Sequence, residues 1–211
     1  MRKKIMLSVA VLIVVFTISS GFKIYKQTGQ SNQNKAKKNF HDFTVETIDG
    51  KQFALSKLKG KKVLVVNVAS QCGLTPQYKI LQEIYETMDT SKFEIIGFPA
   101  NNFLQQEPGT NDEIKTFCTK NYGLTFPLMA KVSVCEYIYK SYPIDSKNAT
   151  KTTTDEIYKW LTQKSENGVL DTQIQWNFQK FLIDENGNLI GSLSPSISTE
   201  ILTLKSWFAE N

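Results

Sequence analysis

Two short runs of branched apolar residues most constrain the fold of this chain. Residues 63–68 read VLVVNV and residues 93–98 read FEIIGF, and neither shows the regular apolar-polar alternation of a half-exposed strand. Between the two runs, apolar residues recur at helical spacing, at Tyr78, Leu81, Ile84, Tyr85 and Met88. Two buried strands joined by a helix form a right-handed parallel unit. The sequence therefore predicts a parallel strand pair at the centre of a sheet.

The segments on either side of this unit supply the remaining elements. Asp49-Gly50 and Asn186-Gly187 are favoured two-residue turns, and each lies between two strand-like runs. Those runs are residues 43–48, 52–55, 176–184 and 189–193. Further helices are predicted after Thr75-Pro76, after a cap at Asn111, over residues 154–163 and over residues 198–209. The order predicts an α/β, thioredoxin-like fold, in which helices flank a central mixed sheet of about four strands and a β-hairpin precedes it.

The net charge of +5 is distributed unevenly along the 211 residues. Residues 1–41 contain eight Lys or Arg and no acidic residue, whereas the other 170 residues contain 17 Lys and 20 acidic residues, a net charge of −3. That larger part offers no basic surplus to neutralise phosphates, which argues against nucleic-acid binding. Its length suits one domain.

The N-terminus has the layout of an export signal. Arg2, Lys3 and Lys4 precede an apolar run at residues 5–18, and small residues follow at 19–21. A run of this length is short for a membrane span, which favours a cleaved signal peptide, although an uncleaved signal anchor stays open.

The sequence therefore divides into three parts. Residues 1–21 are expected to be the signal peptide or anchor, and residues 22–39 a flexible polar linker with little to bury. Residues 40–211 are expected to form the folded domain. The protein should be exported, either extracytoplasmic or secreted, or tethered to a membrane through residues 5–18.

Cys72 is a candidate nucleophile, because it follows the first buried strand and precedes a predicted helix. Unpaired backbone N–H groups and the positive end of the helix dipole favour a thiolate at such a position. Thr75 is expected to cap this helix, and Pro76 to occupy its first position. A buried structural cysteine is the alternative interpretation, since free cysteine is among the most buried residue types.

The positions of the cysteines and of the single histidine limit the kinds of site that this chain can form. Cys72, Cys118 and Cys135 form no CxxC pair and have no metal-ligand spacing, so we expect neither a metal site nor a cofactor. An odd number of cysteines in an exported domain also argues against a disulfide scaffold. His41 is the single histidine, and a Cys-His hydrolase would need the N-terminal segment to fold back onto Cys72.

Three sequence blocks resemble the signature blocks of the glutathione peroxidase family. They are NVASQCGLTPQY, GFPANNFLQQEPGTNDEIKTFC and WNFQKFLIDENG, and the resemblance covers nearly all of residues 40–211. It implies a catalytic group of Cys72, Gln106, Trp176 and Asn177. Two amides and an indole N–H suit this role, because they donate hydrogen bonds to a thiolate without competing as bases. Taken singly, the last three would instead be interpreted as a turn residue, a core tryptophan and a turn-capping asparagine.

The resemblance also implies a reaction in two steps. The Cys72 thiolate takes one oxygen from hydrogen peroxide or an organic or lipid hydroperoxide and becomes a sulfenic acid. Cys118 matches the position of the resolving cysteine in family members that have one. Because Ile114 and Phe117 lie beside Cys118, we expect Cys118 to be buried and its helix to unwind locally before a disulfide forms. A purely structural role in the core is the alternative for Cys118.

The choice of reductant follows from a missing residue type. Residues 42–211 contain no arginine, although arginine forks would bind the two carboxylates of glutathione well. We therefore expect a thioredoxin-like reductant rather than glutathione. Resemblance to the branch with a resolving cysteine implies a monomer.

Some positions depart from the family pattern. Ala100 and Gln71 stand where the family usually has a cysteine and a lysine, and residues 131–160 are longer than usual, with Cys135 among them. Asn148 begins an N-glycosylation sequon. An exported thiol-disulfide oxidoreductase remains an alternative, although it would need a second cysteine where Thr75 stands. A peroxide-sensing redox relay through the same cysteines is another.

Overall fold

The computed structural model describes residues 23–24, 38–196, 204 and 206–208. The predicted signal segment, residues 1–21, and residues 22 and 25–37 of the predicted linker lie outside the described residues. Within the described ranges, no helix is both long enough and apolar enough to cross a membrane.

The described residues contain nine strands and four α-helices. The strands are β1 (Lys23–Ile24), β2 (Thr44–Glu46), β3 (Gln52–Ala54), β4 (Lys62–Val68), β5 (Phe93–Pro99), β6 (Tyr137–Tyr139), β7 (Ala149–Lys151), β8 (Lys180–Ile183) and β9 (Leu189–Leu193). The helices are α1 (Gln77–Thr87), α2 (Asn111–Tyr122), α3 (Glu156–Thr162) and α4 (Lys164–Asn167). Leu204 and residues 206–208 are also helical, and the rest of the helix predicted over residues 198–209 lies outside the described residues.

A mixed sheet with the strand order β1-β9-β8-β4-β5 forms the centre of the fold. β4 and β5 are parallel, and β4 is antiparallel to β8 on its other side. The short strand β1 extends the sheet by two residue pairs beyond β9. The predicted thioredoxin-like sheet of about four strands is thus confirmed, as is the N-terminal hairpin of β2 and β3.

Each face of the sheet is covered by different helices, which explains why β4 and β5 carry apolar side chains on both faces. Val63 and Val65 point into a core that also contains Ile157 and Leu161 of α3. Leu64, Val66 and Val68 point into the opposite core, which is shared with α1 and α2. Burial on both faces is what an unalternating apolar strand requires.

Two predicted helix caps are wrong. α1 begins at Gln77, and Thr75 makes no cap hydrogen bond to it, because the Thr75 hydroxyl bonds within the preceding loop. α2 is capped by Thr110, whose side chain and Glu113 form a reciprocal capping box. The Asn111 side chain instead accepts a hydrogen bond from the Lys131 N–H.

The long segment at residues 131–160 forms a second hairpin, from β6 and β7. Its strands pair Tyr137 with Lys151 and Tyr139 with Ala149. The N–H of Thr152 also donates to the carbonyl oxygen of Glu136. We call residues 136–152 the 136–152 hairpin. It follows a stretch that runs along the edge of β5, through a bridge between Gly97 and Leu128.

Candidate active site

Cys72 lies in a tight loop between β4 and α1, and its side chain is almost fully buried. The Thr75 hydroxyl accepts a hydrogen bond from the Cys72 N–H at 2.9 Å and donates one to the Ala69 carbonyl at 2.9 Å. The Leu74 N–H points at the sulfur, with a nitrogen to Sγ distance of 3.3 Å. The loop therefore places a backbone donor on the sulfur, as an anionic thiolate requires. Thr75 stabilises this loop rather than capping a helix.

Gln106 and Asn177 are joined directly by their side chains. Asn177 Nδ2 donates to Gln106 Oε1 at 2.9 Å, and Asn177 is fully buried. The Gln71 N–H donates to the backbone oxygen of Gln106 at 2.9 Å, which connects this pair to the residue before Cys72. Because Gln106 Oε1 is occupied by Asn177, the amino group of Gln106 is left as its hydrogen-bond donor.

Trp176 lies in a turn that precedes β8, where a strand had been predicted from residue 176. The strand begins only at Lys180, because Asn67 of β4 binds the turn on both sides of Asn177. Asn67 Nδ2 donates to the Trp176 carbonyl at 3.1 Å, and the Phe178 N–H donates to the Asn67 carbonyl at 2.6 Å. Asn67 was not among the predicted site residues. The sequence feature that distinguishes Asn67 is that it is the single polar residue in the apolar run VLVVNV.

Strained backbone occurs next to two of the predicted site residues. Among the described residues, the non-glycine residues with positive φ are Leu104 at 52°, Gln105 at 55° and Phe178 at 69°. The first two immediately precede Gln106, and the third follows Asn177. Side chains other than glycine pay a conformational cost in this region, and such residues concentrate at functional sites. The surrounding structure therefore holds both loops in a strained backbone conformation, and these loops carry the Gln106 and Asn177 side chains.

Cys118 lies on α2 with no exposed surface, in the same buried cluster as Cys72. Ile114 is buried beside it on the same helix, which confirms the prediction that Cys118 starts in the core. Burial raises the pKa of the Cys118 thiol to about 11, although the neighbouring Tyr78 hydroxyl opposes this. In this conformation Cys118 is a neutral thiol, and all three cysteines are free.

Glu107 is a buried carboxyl group that sequence reasoning did not single out. It directly follows Gln106 and is 1% exposed. Burial raises its pKa to about 7, an effect that the neighbouring Ser70 and the charge of Lys131 oppose. The Lys131 ammonium donates to the backbone oxygens of Glu107 and Gly109, and so holds this loop against the start of α2. A cleft of about 410 Å³ opens here between the Cys72 loop and α2.

His41 and Cys135 stand apart from these residues. The Phe40 N–H donates to the Gly187 carbonyl, and the His41 ring packs against Gly187 in the turn between β8 and β9. Because Val63 of β4 pairs with Ile183 beside that turn, His41 lies at the end of the sheet away from Cys72. The Cys135 thiol donates to the Tyr137 carbonyl at 3.2 Å, at the base of the 136–152 hairpin. No group of three His, Cys, Asp or Glu side chains suited to a metal ion occurs in the described ranges.

Comparison with known proteins gives one consistent result. The family model for glutathione peroxidase matches residues 40–139. Glutathione peroxidase-like peroxiredoxin 2 of Saccharomyces cerevisiae is 40% identical over 172 residues, which are 79% of this chain and 97% of the yeast protein. Thioredoxin/glutathione peroxidase BtuE of Escherichia coli is 38% identical over 160 residues, 74% of this chain and 87% of that protein. The crystal structure of Trgpx in apo form superposes with a TM-score of 0.56 at 29% identity, covering 83% of this chain and 98% of the other.

Proposed function

Because the chain belongs to the glutathione peroxidase family, we propose that its peroxidase reaction takes place at Cys72 and is completed by Cys118. The protein is a thiol peroxidase. The observation that carries the assignment of Cys72 is the hydrogen-bonded connection from its loop through Gln71 to Gln106 and on to Asn177. It ties the Cys72 sulfur, which receives the Leu74 N–H donor, to two amides and, through the same turn, to Trp176.

In the first step, the Cys72 thiolate attacks the terminal oxygen of a hydroperoxide. The sulfur–oxygen bond forms as the oxygen–oxygen bond breaks, and the departing alkoxide or hydroxide takes up a proton to leave as an alcohol or water. The sulfur is oxidised to a sulfenic acid and the peroxide is reduced. The amino group of Gln106 and the indole N–H of Trp176 stabilise the anionic sulfur and the developing charge, as positioned donors in a partly buried site do.

In the second step, the Cys118 sulfur attacks the Cys72 sulfenic acid. A disulfide forms, and the hydroxyl group leaves with the Cys118 proton as water. Cys118 is fully buried in α2, so the reaction requires α2 to open locally and bring the two Cα atoms within disulfide distance. The cleft between the Cys72 loop and α2 offers space for that movement.

A thioredoxin-like protein then reduces the disulfide. The absence of arginine from residues 42–211 supports this choice over glutathione, as does the Escherichia coli relative, which is named for thioredoxin as well as glutathione. The protein acts as a monomer. It is exported by residues 1–21, and where that segment is not cleaved it tethers the enzyme to a membrane; the basic and apolar pattern of the segment supports this location.

Peroxide consumption by the full chain tests this assignment. Wild type is compared with Cys72→Ser, Cys118→Ser and, as a matched control, Cys135→Ser, each with a thioredoxin system and separately with glutathione. We expect turnover with thioredoxin that is lost in the first two variants and retained in the control. Activity that survives Cys72→Ser would refute the assignment, and activity that survives Cys118→Ser would return Cys118 to a structural role. N-terminal sequencing of the mature protein tests the export segment.

A further inference from the structure

An exposed tyrosine lies on the ring of Trp176. Tyr142 is 68% exposed, and no other large apolar side chain among the described residues is exposed. Its ring is nearly parallel to the Trp176 indole, at an interplanar angle of 18° and a centroid distance of 5.9 Å. An exposed ring in this stacking position presents apolar surface to solvent beside Trp176, a proposed site residue.

Tyr142 belongs to the 136–152 hairpin, which is attached to the loop that carries Gln106. The attachment is Asn102, a buried residue of that loop. Its Nδ2 donates to the Tyr137 carbonyl at 2.8 Å, and its Oδ1 accepts from the Val134 N–H at 2.9 Å. The Tyr139 N–H donates back to the Asn102 carbonyl at 2.7 Å. The hairpin is therefore held in a defined position relative to the site.

Aromatic contacts continue from the hairpin to the site. Tyr139 stacks on Phe103 at 5.9 Å, and Phe103 in turn contacts the Trp176 ring at 5.2 Å. Trp176 is thus contacted by Phe103, which belongs to the buried core, and by Tyr142, which belongs to the hairpin. With Trp176 as a donor to the reacting sulfur, as proposed above, the organic group of a hydroperoxide lies near this aromatic surface.

We propose that the 136–152 hairpin is a specificity element, in which Tyr142 contacts the apolar organic group of a hydroperoxide and favours organic hydroperoxides over hydrogen peroxide. This inference rests on the proposed function, since it assumes that the peroxide reacts at Cys72. The physical reason is burial of apolar surface: an alkyl or aryl group covers the exposed Tyr142 ring, whereas hydrogen peroxide has no such group.

The test compares cumene hydroperoxide with hydrogen peroxide as substrates of the full chain. We expect Tyr142→Ala to lower kcat/KM for cumene hydroperoxide about ten-fold, mainly through KM, and to change the value for hydrogen peroxide less than about two-fold. Tyr142→Phe should retain the preference, because it keeps the ring. Lys140→Ala, an exposed change two residues away on the same loop, is the matched control and should leave both values unchanged.

Two outcomes would overturn the proposal. One is an equal loss for both substrates, which would mean that Tyr142 only supports Trp176. The other is that Tyr142→Ala leaves kcat/KM unchanged for both substrates. The hydrogen peroxide activity of the variants separates this test from the proposed function, because it reports the Cys72 reaction without any organic group. Tryptophan fluorescence, with Trp176→Phe as the reference, should show a red shift in Tyr142→Ala as the Trp176 ring loses its cover.

Discussion

The Asn177 side chain donates a hydrogen bond to Gln106 Oε1 at 2.9 Å, across 71 residues of sequence. This bond fixes which end of the Gln106 amide is free, because the oxygen is already used. The orientation of one site residue is therefore set by another, and both are held in loops with strained backbone.

Replacing the free donor of Gln106 is expected to impair the first step. In Gln106→Glu the amino group becomes a carboxylate oxygen, which repels the Cys72 thiolate and removes a hydrogen-bond donor. Loss of one positioned donor typically costs a factor of about 100 in rate, so we expect kcat/KM for hydrogen peroxide to fall by about that factor. Stopped-flow measurement of Cys72 oxidation gives the value directly. The neighbouring Gln105→Glu is the control, and an equal effect there would argue against a specific role for Gln106.

The buried carboxyl of Glu107 predicts a stability that depends on pH. Burial raises its pKa from 4.5 to about 7, so between these values the folded state binds more protons than the unfolded state. Stability must then fall as the pH rises through this range, by at most about 3 kcal/mol. Glu107→Gln removes this loss, and urea unfolding should show the variant to be the more stable protein at pH 8 but not at pH 4.5.

Glu113 provides a control of opposite sign for that experiment. Hydrogen bonds from Thr110 lower its pKa, so its contribution to stability is present above its ordinary pKa and is lost as the pH falls. Glu113→Gln should therefore destabilise the protein more at pH 8 than at pH 3, which lies below the ordinary pKa of the group. If Glu107→Gln followed the same direction, the proposed effect of burial on Glu107 would be wrong.

Asn67 is expected to matter for activity although it lies within a strand. Its side chain holds the Trp176 carbonyl and its backbone holds the Phe178 N–H. Asn67→Ser shortens the side chain and loses the first bond, at a cost of about 1 kcal/mol in the free energy of unfolding. Because the turn then holds Trp176 less firmly, we expect kcat to fall about ten-fold. Urea unfolding and steady-state kinetics measure the two effects, and unchanged kcat would contradict the role.

The sequence predicted the fold well because its signals were local. Unalternating apolar runs identified β4 and β5, and glycine turns identified the β2–β3 and β8–β9 hairpins, whose Gly50 and Gly187 do adopt positive φ. Helix caps were missed, since Thr75 forms its hydrogen bonds within the preceding loop and Asn111 accepts one from Lys131, 20 residues away. The same limit applies to the site. The family motifs predicted the site residues. The roles of Asn67 and Tyr142 depend instead on their contacts with Trp176, which lies 109 and 34 residues away in the sequence. No local sequence pattern predicts such contacts.

Thr110 links the stability of α2 to the second step of the reaction. Its side chain caps α2 and exchanges hydrogen bonds with Glu113, and loss of such a cap typically costs about 1 kcal/mol. If α2 opens before Cys118 attacks, Thr110→Ala should populate the open form about five-fold more and speed disulfide formation by up to that factor. The rate is measured by mass spectrometry after one equivalent of hydrogen peroxide, with thiols trapped at successive times. Cys72 oxidation, which does not need the opening, serves as the internal reference and should keep its rate. A disulfide rate that is unchanged or slower in Thr110→Ala, despite measured loss of stability, would show that the start of α2 stays closed while Cys118 reacts.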